Sequence, residues 1–262
     1  MKEKVISLIR DAAQIIKNRP EFSVDEKEGH ANYVTTVDKQ LQDALEKGLA
    51  AIYPEAQFIG EEKENALLTD APAWVVDPLD GTANFICDYR KSAVSVALLE
   101  KRKPVLGAVY QPYTDEMFFA EKGGGAFLNR RPIHVSRREF SRAMVSFGTS
   151  PYDADKCDIT MSLARDFIRS CADIRRSGSA ALDLTDVACG RTDVFFEMIL
   201  RPWDVSAGAL LVTEAGGVFD MPLLPDGPDF GGNHCILAGS PAVFDEAKRM
   251  LLDKAAAFGY KE

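Results

Sequence analysis

Trp74-Val-Val-Asp77-Pro-Leu-Asp80-Gly-Thr-Ala-Asn-Phe85 decides the fold: an apolar run ends in two aspartates three residues apart, and Gly81-Thr82 follows at once. Ala73–Asp77 reads as a short buried strand. Two carboxylates at a strand end can share or straddle divalent cations, and hard Mg²⁺ prefers oxygen ligands. Pro78 stiffens the loop and frees the Leu79 carbonyl as a further oxygen ligand. Gly81 and Thr82 offer backbone N–H groups that a phosphate can approach without side-chain obstruction. The plainer reading is a turn, because Asp-Pro and Asp-Gly are common turn pairs.

Working outward, Val5, Leu8, Ile9, Ala12, Ile15 and Ile16 predict one helix over 3–18, stopped by Pro20. A loop is expected across Lys27–Asn32. Val34–Asp38 then leads into a second helix marked by Leu41, Leu45 and Leu49. On the other side, Ser92–Leu99 reads as a strand, and 104–110 pairs with 116–120 around the turn Gln111–Asp115. Gly123–Asn129 is a turn-rich junction. Beyond residue 140 the pattern predicts a helix at 159–170, then Ile174-Arg-Arg, then a helix opening at Ser177-Gly-Ser-Ala-Ala181. Thr192–Phe196 reads as a strand and Val205–Ala215 as a helix N-capped by Asp204 and ended by Gly216-Gly217. A strand at 236–238 and a helix at 242–252 complete the chain. This mixture favours α+β or layered α/β architecture. No Gly/Ser/Pro-rich linker intervenes, so residues 1–140 and 141–262 are expected to be two halves packed as one catalytic unit.

The net charge of −9 over 262 residues argues against direct, phosphate-dominated nucleic-acid binding, which relies on Lys/Arg clusters. The densest basic group, Arg130, Arg131, Arg137 and Arg138, is expected to be a solvated turn. Cys87, Cys157, Cys171, Cys189 and Cys235 are scattered and odd in number, which disfavours a disulfide framework or structural zinc and suits a reducing cytosol. The start of the chain has no signal-peptide pattern, and no run approaches the roughly 20 apolar residues of a membrane span. A soluble cytoplasmic protein is expected. His30, His134 and His234 stand alone without a G-x-S-x-G elbow, so carboxylates are expected to carry any chemistry.

Further acidic positions have two readings each. Gly60-Glu61-Glu62 follows the apolar run Gln57-Phe-Ile59; Glu61 is either a strand-end metal ligand or a solvated surface group. Asp204 is either a helix cap or a cap that also faces the metal. Glu197, seven residues earlier and at the end of Val194-Phe-Phe196, either grips a hydroxyl of a sugar or polyol or is simply exposed.

Taken together and in order, Gly60-Glu61-Glu62, Asp77-Pro-Leu-Asp80-Gly-Thr82 and Trp203-Asp204-Val-Ser-Ala-Gly208 resemble the inositol monophosphatase family. Lys27 through Asp38 (K-x-G-x-x-N-x-V-T-x-x-D), Gly107-Ala-Val-Tyr-Gln-Pro112 and Arg176-Ser-Gly-Ser-Ala-Ala181 add to the resemblance, which spans nearly the whole chain. The resemblance implies a five-layer αβαβα sandwich of the inositol monophosphatase / fructose 1,6-bisphosphatase type, a metal site between the halves, and a homodimer. It implies two or three Mg²⁺ ions: a first on Glu61, Asp77 and the Leu79 carbonyl, a second on Asp77, Asp80 and Asp204, and a weaker third near Glu61. Glu61, Thr82 and Asp38 take catalytic roles by the same resemblance, the last two orienting and deprotonating the attacking water. Gly81 and Thr82 match phosphate-holding positions, and Asp80 and Asp204 are implied to be substrate-binding as well. Gly178, Ser179, Ala180 and Glu197 match inositol contacts. Lithium sensitivity is expected as well.

The implied activity is metal-dependent hydrolysis of a small phosphorylated polyol or sugar, with inositol 1-phosphate first. Fructose 1,6-bisphosphate, histidinol phosphate and 3′-phosphoadenosine 5′-phosphate are substrates of related enzymes, and the chain is short for the nucleotide branch. From another class, some relatives act as regulatory partners of RNA or transcription machinery; direct RNA binding is not expected here. Ala83, where a hydroxyl residue is usual, Ser179, where Thr can stand, and Cys87-Asp88 depart from the family pattern without removing a metal ligand.

Overall fold

The computed structural model describes residues 1–27, 32–151 and 153–260. Most of the loop expected at Lys27–Asn32, with His30, lies outside them. In chain order the first elements are α1 (Lys2–Ala12), α2 (Gln14–Asn18), β1 (Val24–Glu26), β2 (Tyr33–Thr35), α3 (Thr36–Ile52) and β3 (Gln57–Gly60). Next come β4 (Ala73–Asp80), α4 (Thr82–Ile86), β5 (Ala93–Glu100), β6 (Lys103–Gln111), β7 (Glu116–Glu121), β8 (Ala126–Leu128) and β9 (Arg131–Pro132). The remainder is β10 (Met144–Phe147), α5 (Cys157–Ile168), β11 (Asp173–Arg175), α6 (Ala180–Ala188), β12 (Val194–Leu200), α7 (Pro202–Glu214), β13 (Val218–Asp220), β14 (His234–Gly239) and α8 (Phe244–Ala257).

Strands β3 to β9 form a seven-stranded sheet in sequence order, antiparallel except for the parallel pair β3–β4. A five-stranded sheet has the order β11-β10-β12-β14-β13, with β10 parallel to both β11 and β12. The small ribbon β1–β2 is separate.

Strand alternation builds the layers. Trp74 and Val76 of β4 pack with Val5 and Ile9 of α1 and Leu41, Leu45 and Leu49 of α3. Val75, on the opposite face, joins Leu184 and Val187 of α6, Leu211 of α7, and Phe195 and Ile236 of the second sheet. Beyond that sheet, Phe196 and Leu237 pack on Phe167 of α5 and Leu251 of α8. The result is the expected helix–sheet–helix–sheet–helix sandwich. Helix α7 lies in the central layer and is buried nearly all round, from Val205 to Val212, which is why its sequence lacks an amphipathic stripe.

Several sequence expectations need correction. The single helix over 3–18 breaks at Ala13 into α1 and α2. Helix α7 begins at Pro202, so Asp204 is its third residue and Arg201 its N-cap. Glu197 sits inside β12 rather than at a strand end. Arg138 is no solvated turn residue: it donates to both oxygens of the fully buried Asp193 at 2.9 Å, because that carboxylate needs compensation. Among the described residues no helix is long and apolar enough to cross a membrane.

Candidate active site

Parallel pairing of β3 and β4 sets Gly60 opposite Val76, so the next residues, Glu61 and Asp77, emerge side by side. A Cβ on Gly60 would lie 2.4 Å from Gln42 Oε1 and 2.7 Å from the Phe58 ring, so any larger residue must push those side chains aside. The β4–β5 register shifts between Asp77 and Asp80, where Pro78 has no N–H to give to a ladder. Asp77 turns back to accept from its own Leu79 N–H at 2.9 Å. The third carboxylate arrives from the other half: Asp204, in the first turn of α7, accepts from the Arg201 N–H at 2.8 Å. One carboxylate oxygen each from Glu61, Asp77 and Asp204 lie within 4.8 Å of one another.

Asp80 stands beside that group but outside it. Its Oδ2 accepts from Ser179 Oγ at 2.5 Å and from the Ala181 N–H at 2.7 Å, which ties β4 to the start of α6. Ser179 is the N-cap of α6 and Gly178 before it has φ +83°, a conformation suited to glycine. Gly81 likewise has φ +85°, and a Cβ there would meet the Lys91 carbonyl at 2.7 Å.

Thr82 opens α4, and its hydroxyl lies 2.9 Å from Asp38 Oδ1 and 3.1 Å from the Leu79 carbonyl. Asp38 is fixed independently, as the third residue of α3 in a capping box: its Oδ2 accepts from the Thr35 N–H at 2.9 Å and from the Thr35 hydroxyl. Glu197 accepts from both the N–H and the hydroxyl of Ser150, each at 2.9 Å.

The electrostatics follow from packing so many carboxylates in a dry place. Burial, then repulsion from Glu61, Asp80 and Asp204, pushes the Asp77 carboxyl well above its ordinary value. Burial and repulsion from Glu61 and Asp80 do the same to Asp204. Asp80 is raised to about 6, chiefly by burial, against the donors Ser179 and Ala181. Glu197, buried within β12, is raised to about 7. Lys27 Nζ lies 3.1 Å from Glu61 Oε1 and 2.6 Å from Glu62 Oε1. Burial and Glu61 still hold Glu62 up at about 7, because they outweigh the Lys27 contact. Such a group of buried, mutually repelling oxygen donors is suited to a hard divalent cation, and the Glu61–Asp77–Asp204 set fits Mg²⁺.

These side chains border one cleft of about 160 Å³ between the two sheets' helical layer and the β4 loop; Glu61, Asp77, Leu79, Asp80, Gly81, Thr82, Gly178, Ser179, Ala180, Glu197 and Asp204 all line it. Asp38 is reached through Thr82. The sequence reading missed Gly148, Thr149 and Asp183, which also line the cleft, and Ser150 and Asn84 behind it. Asp183 carried a signal, an acidic residue in the first turn after an N-cap serine. Gly148-Thr149-Ser150 carried none, since its place depends on β10 lying parallel to β12.

The model of the inositol monophosphatase family matches residues 1–249. "Inositol monophosphatase 2" of Solanum lycopersicum is 42% identical over 214 residues, covering 78% of this chain and 79% of its own. "Nus factor SuhB" of Xylella fastidiosa is 37% identical over 229 residues, covering 84% and 82%. A solved structure described as an IMPase/NADP phosphatase complexed with Mg²⁺ and phosphate superposes with a TM-score of 0.84 at 25% identity, covering 95% of this chain and 94% of that one. The chain belongs to the inositol monophosphatase family, and it is a phosphatase acting on phosphate monoesters.

Proposed function

We propose that the protein is a Mg²⁺-dependent inositol-1-monophosphatase. The observation that carries this reading is the meeting of Glu61, Asp77 and Asp204 within 4.8 Å in a cleft that Glu197 also lines. Glu61, Asp77, the Leu79 carbonyl, Asp80 and Asp204 would hold the two or three ions. When bound, Mg²⁺ offsets the charge of the phosphate dianion, acidifies a water and stabilises the leaving alkoxide.

The chain's own groups do the rest. The backbone N–H groups of Gly81 and Thr82 hold the phosphate. Asp38, fixed by Thr35, accepts the Thr82 hydroxyl proton, so the Thr82 oxygen is free to accept from the attacking water and orient it. Gly178, Ser179 and Ala180 form the wall against the alcohol half of the substrate, and the Glu197 carboxylate accepts its hydroxyl protons. The two halves, meeting near residue 140, work as one catalytic unit, and we carry a cytoplasmic homodimer and lithium inhibition into the same proposal.

The test is phosphate release from inositol 1-phosphate, fructose 1,6-bisphosphate, histidinol phosphate, 3′-phosphoadenosine 5′-phosphate and β-glycerophosphate, with Mg²⁺ and with chelator. Metal-dependent release, best on inositol 1-phosphate and lost in Asp80→Asn, is expected. A better second substrate would move the protein to that branch. A well-folded protein that releases nothing would favour a second reading, a regulatory partner of transcription machinery, for which the Xylella relative's description as a Nus factor speaks.

A further inference from the structure

Strand β10 runs parallel to β12 with Phe147 opposite Phe196, so the next pair in register is Gly148 and Glu197. The Gly148 N–H donates to the Phe196 carbonyl at 3.1 Å, which carries the pairing one residue past the strand. At that point the Glu197 carboxylate occupies the space that a Gly148 side chain would take. A Cβ on Gly148 would sit 1.8 Å from Glu197 Oε2 and 2.0 Å from its Cδ. A side chain on Gly148 would have to displace the Glu197 carboxylate, which is buried and held by Ser150.

Two residues on, the chain bends back. Ser150 has φ 39°, a left-handed conformation that non-glycine residues adopt rarely and keep only where the surroundings over-determine it. That bend turns both the N–H and the Oγ of Ser150 onto the same carboxylate oxygen, Glu197 Oε1, at 2.9 Å each. The hydroxyl also lies 3.0 Å from the Ile199 carbonyl. With one proton to give, it favours the carboxylate, since a charged acceptor makes the stronger bond. Ser150 is itself fully buried.

We propose that Ser150 is a positioning residue for substrate specificity: with Gly148 it clamps Glu197 so that Oε1 is saturated and Oε2 is presented to the hydroxyls of a polyol phosphate. The inference rests on the reading that Glu197 accepts substrate hydroxyl protons, and deepens it. A carboxylate with one oxygen doubly held cannot rotate, so its second oxygen is preorganised for a hydroxyl at one position on the alcohol. A phosphate ester without hydroxyls gains nothing from this arrangement.

The experiment is steady-state kinetics of the Mg²⁺-loaded enzyme on inositol 1-phosphate and on p-nitrophenyl phosphate, which has no alcohol hydroxyls. It compares wild type, Ser150→Ala, Ser150→Gly, Glu197→Gln and the Ser150→Ala/Glu197→Gln double variant, with thermal unfolding of each. Ser150→Gly keeps the N–H donor and suits the left-handed backbone, so it remains informative if the alanine variant folds badly. The expected result is that both Ser150 variants raise KM for inositol 1-phosphate about tenfold, the loss of one charge-assisted hydrogen bond. The KM for p-nitrophenyl phosphate and both kcat values move far less. In the Glu197→Gln background, Ser150→Ala adds almost nothing, because the two act as one unit. Equal KM rises on both substrates, or additive effects in the double variant, would overturn the clamp. If Glu197→Gln shifts the KM ratio and the Ser150 variants do not, the clamp fails while the polyol reading stands. If Glu197→Gln leaves the ratio unchanged, the polyol reading fails first and takes the clamp with it.

Discussion

The hydroxyl of Thr82 lies 2.9 Å from Asp38 Oδ1, a contact between the first residue of α4 and the third residue of α3. Thr35 grips the other Asp38 oxygen, so the pair is built from a helix cap whose second oxygen is turned toward the cleft. Thr82→Ala is expected to lower kcat by about 10²–10⁴-fold, the range for loss of a positioned proton-transfer group, with KM little changed. Thr82→Ser should keep most of the activity. Steady-state kinetics of the two variants checks this; an alanine variant as active as the serine one would remove the pair from the mechanism.

Protons and Mg²⁺ are expected to compete for the carboxylates of this site. Asp80, raised to about 6, Glu62 and Glu197, raised to about 7, and Asp77 and Asp204, raised well above their ordinary value, all bind protons more tightly folded than unfolded. A raised carboxyl pKa contributes stability below the ordinary carboxylate range, and that contribution is lost as pH rises through the folded value. The metal-free protein therefore loses stability at these groups between roughly pH 4 and 7 and above. Glu116, held low by Arg191, has the opposite sign, so the clean readout is a difference between loaded and stripped protein. The rise in Tm on adding Mg²⁺ is expected to be larger at pH 8 than at pH 5, because the ion replaces protons. A constant or shrinking rise would contradict this.

Asn84, in α4 just after β4, ties that segment to the loop that precedes α6. Its buried amide nitrogen donates toward the carbonyls of Lys91 at 2.6 Å, Ser177 at 3.0 Å and Gly178 at 3.3 Å. Asn84→Leu leaves those carbonyls without their donor and is expected to cost about 1–3 kcal/mol in unfolding free energy by urea titration. Asn84→Asp should cost more, because it brings a charge against the same oxygens. An unchanged urea midpoint in both would mean that water replaces the amide freely.

Gly107 of β6 packs against the backbone of α7. A Cβ there would lie 2.7 Å from the Ala207 carbonyl oxygen and 3.1 Å from Ala207 Cα. Backbone cannot swing aside as a side chain can, so Gly107→Ala is expected to destabilise by about 1–3 kcal/mol. Because α7 also carries Asp204, the variant should need more Mg²⁺ for half-maximal activity. Calorimetric unfolding and a Mg²⁺ titration of activity check both halves of this expectation.

Local physics made part of this molecule legible. A short continuous apolar run marked β4, and its two aspartates marked the strand end as a site. Leu41, Leu45 and Leu49 marked α3. Pro202 at the first position of α7 was an available start signal, and weighing Asp204 as the cap hid it. The break at Ala13 had no signal, since alanine favours helix and no Gly or Pro stands nearby. What joins Glu61 to Asp77 is strand pairing, and what joins Asp204 to both is the packing of α7 between sheets; neither follows from spacing without the family resemblance. Ser150 and Gly148 were illegible for the same reason: the Ser150 contact with Glu197 spans 47 residues, that of Gly148 is longer still, and both are set by β10 lying beside β12.

Glu61, Asp77 and Asp204 are expected to hold Mg²⁺. Calorimetric titration of chelator-stripped protein with Mg²⁺, beside an Asp77→Asn variant of equal helicity, tests it most directly. Saturable binding in the wild type that is abolished or weakened at least about tenfold in the variant is the predicted result. A wild type that binds no Mg²⁺, or a variant that binds it equally well, would contradict the assignment.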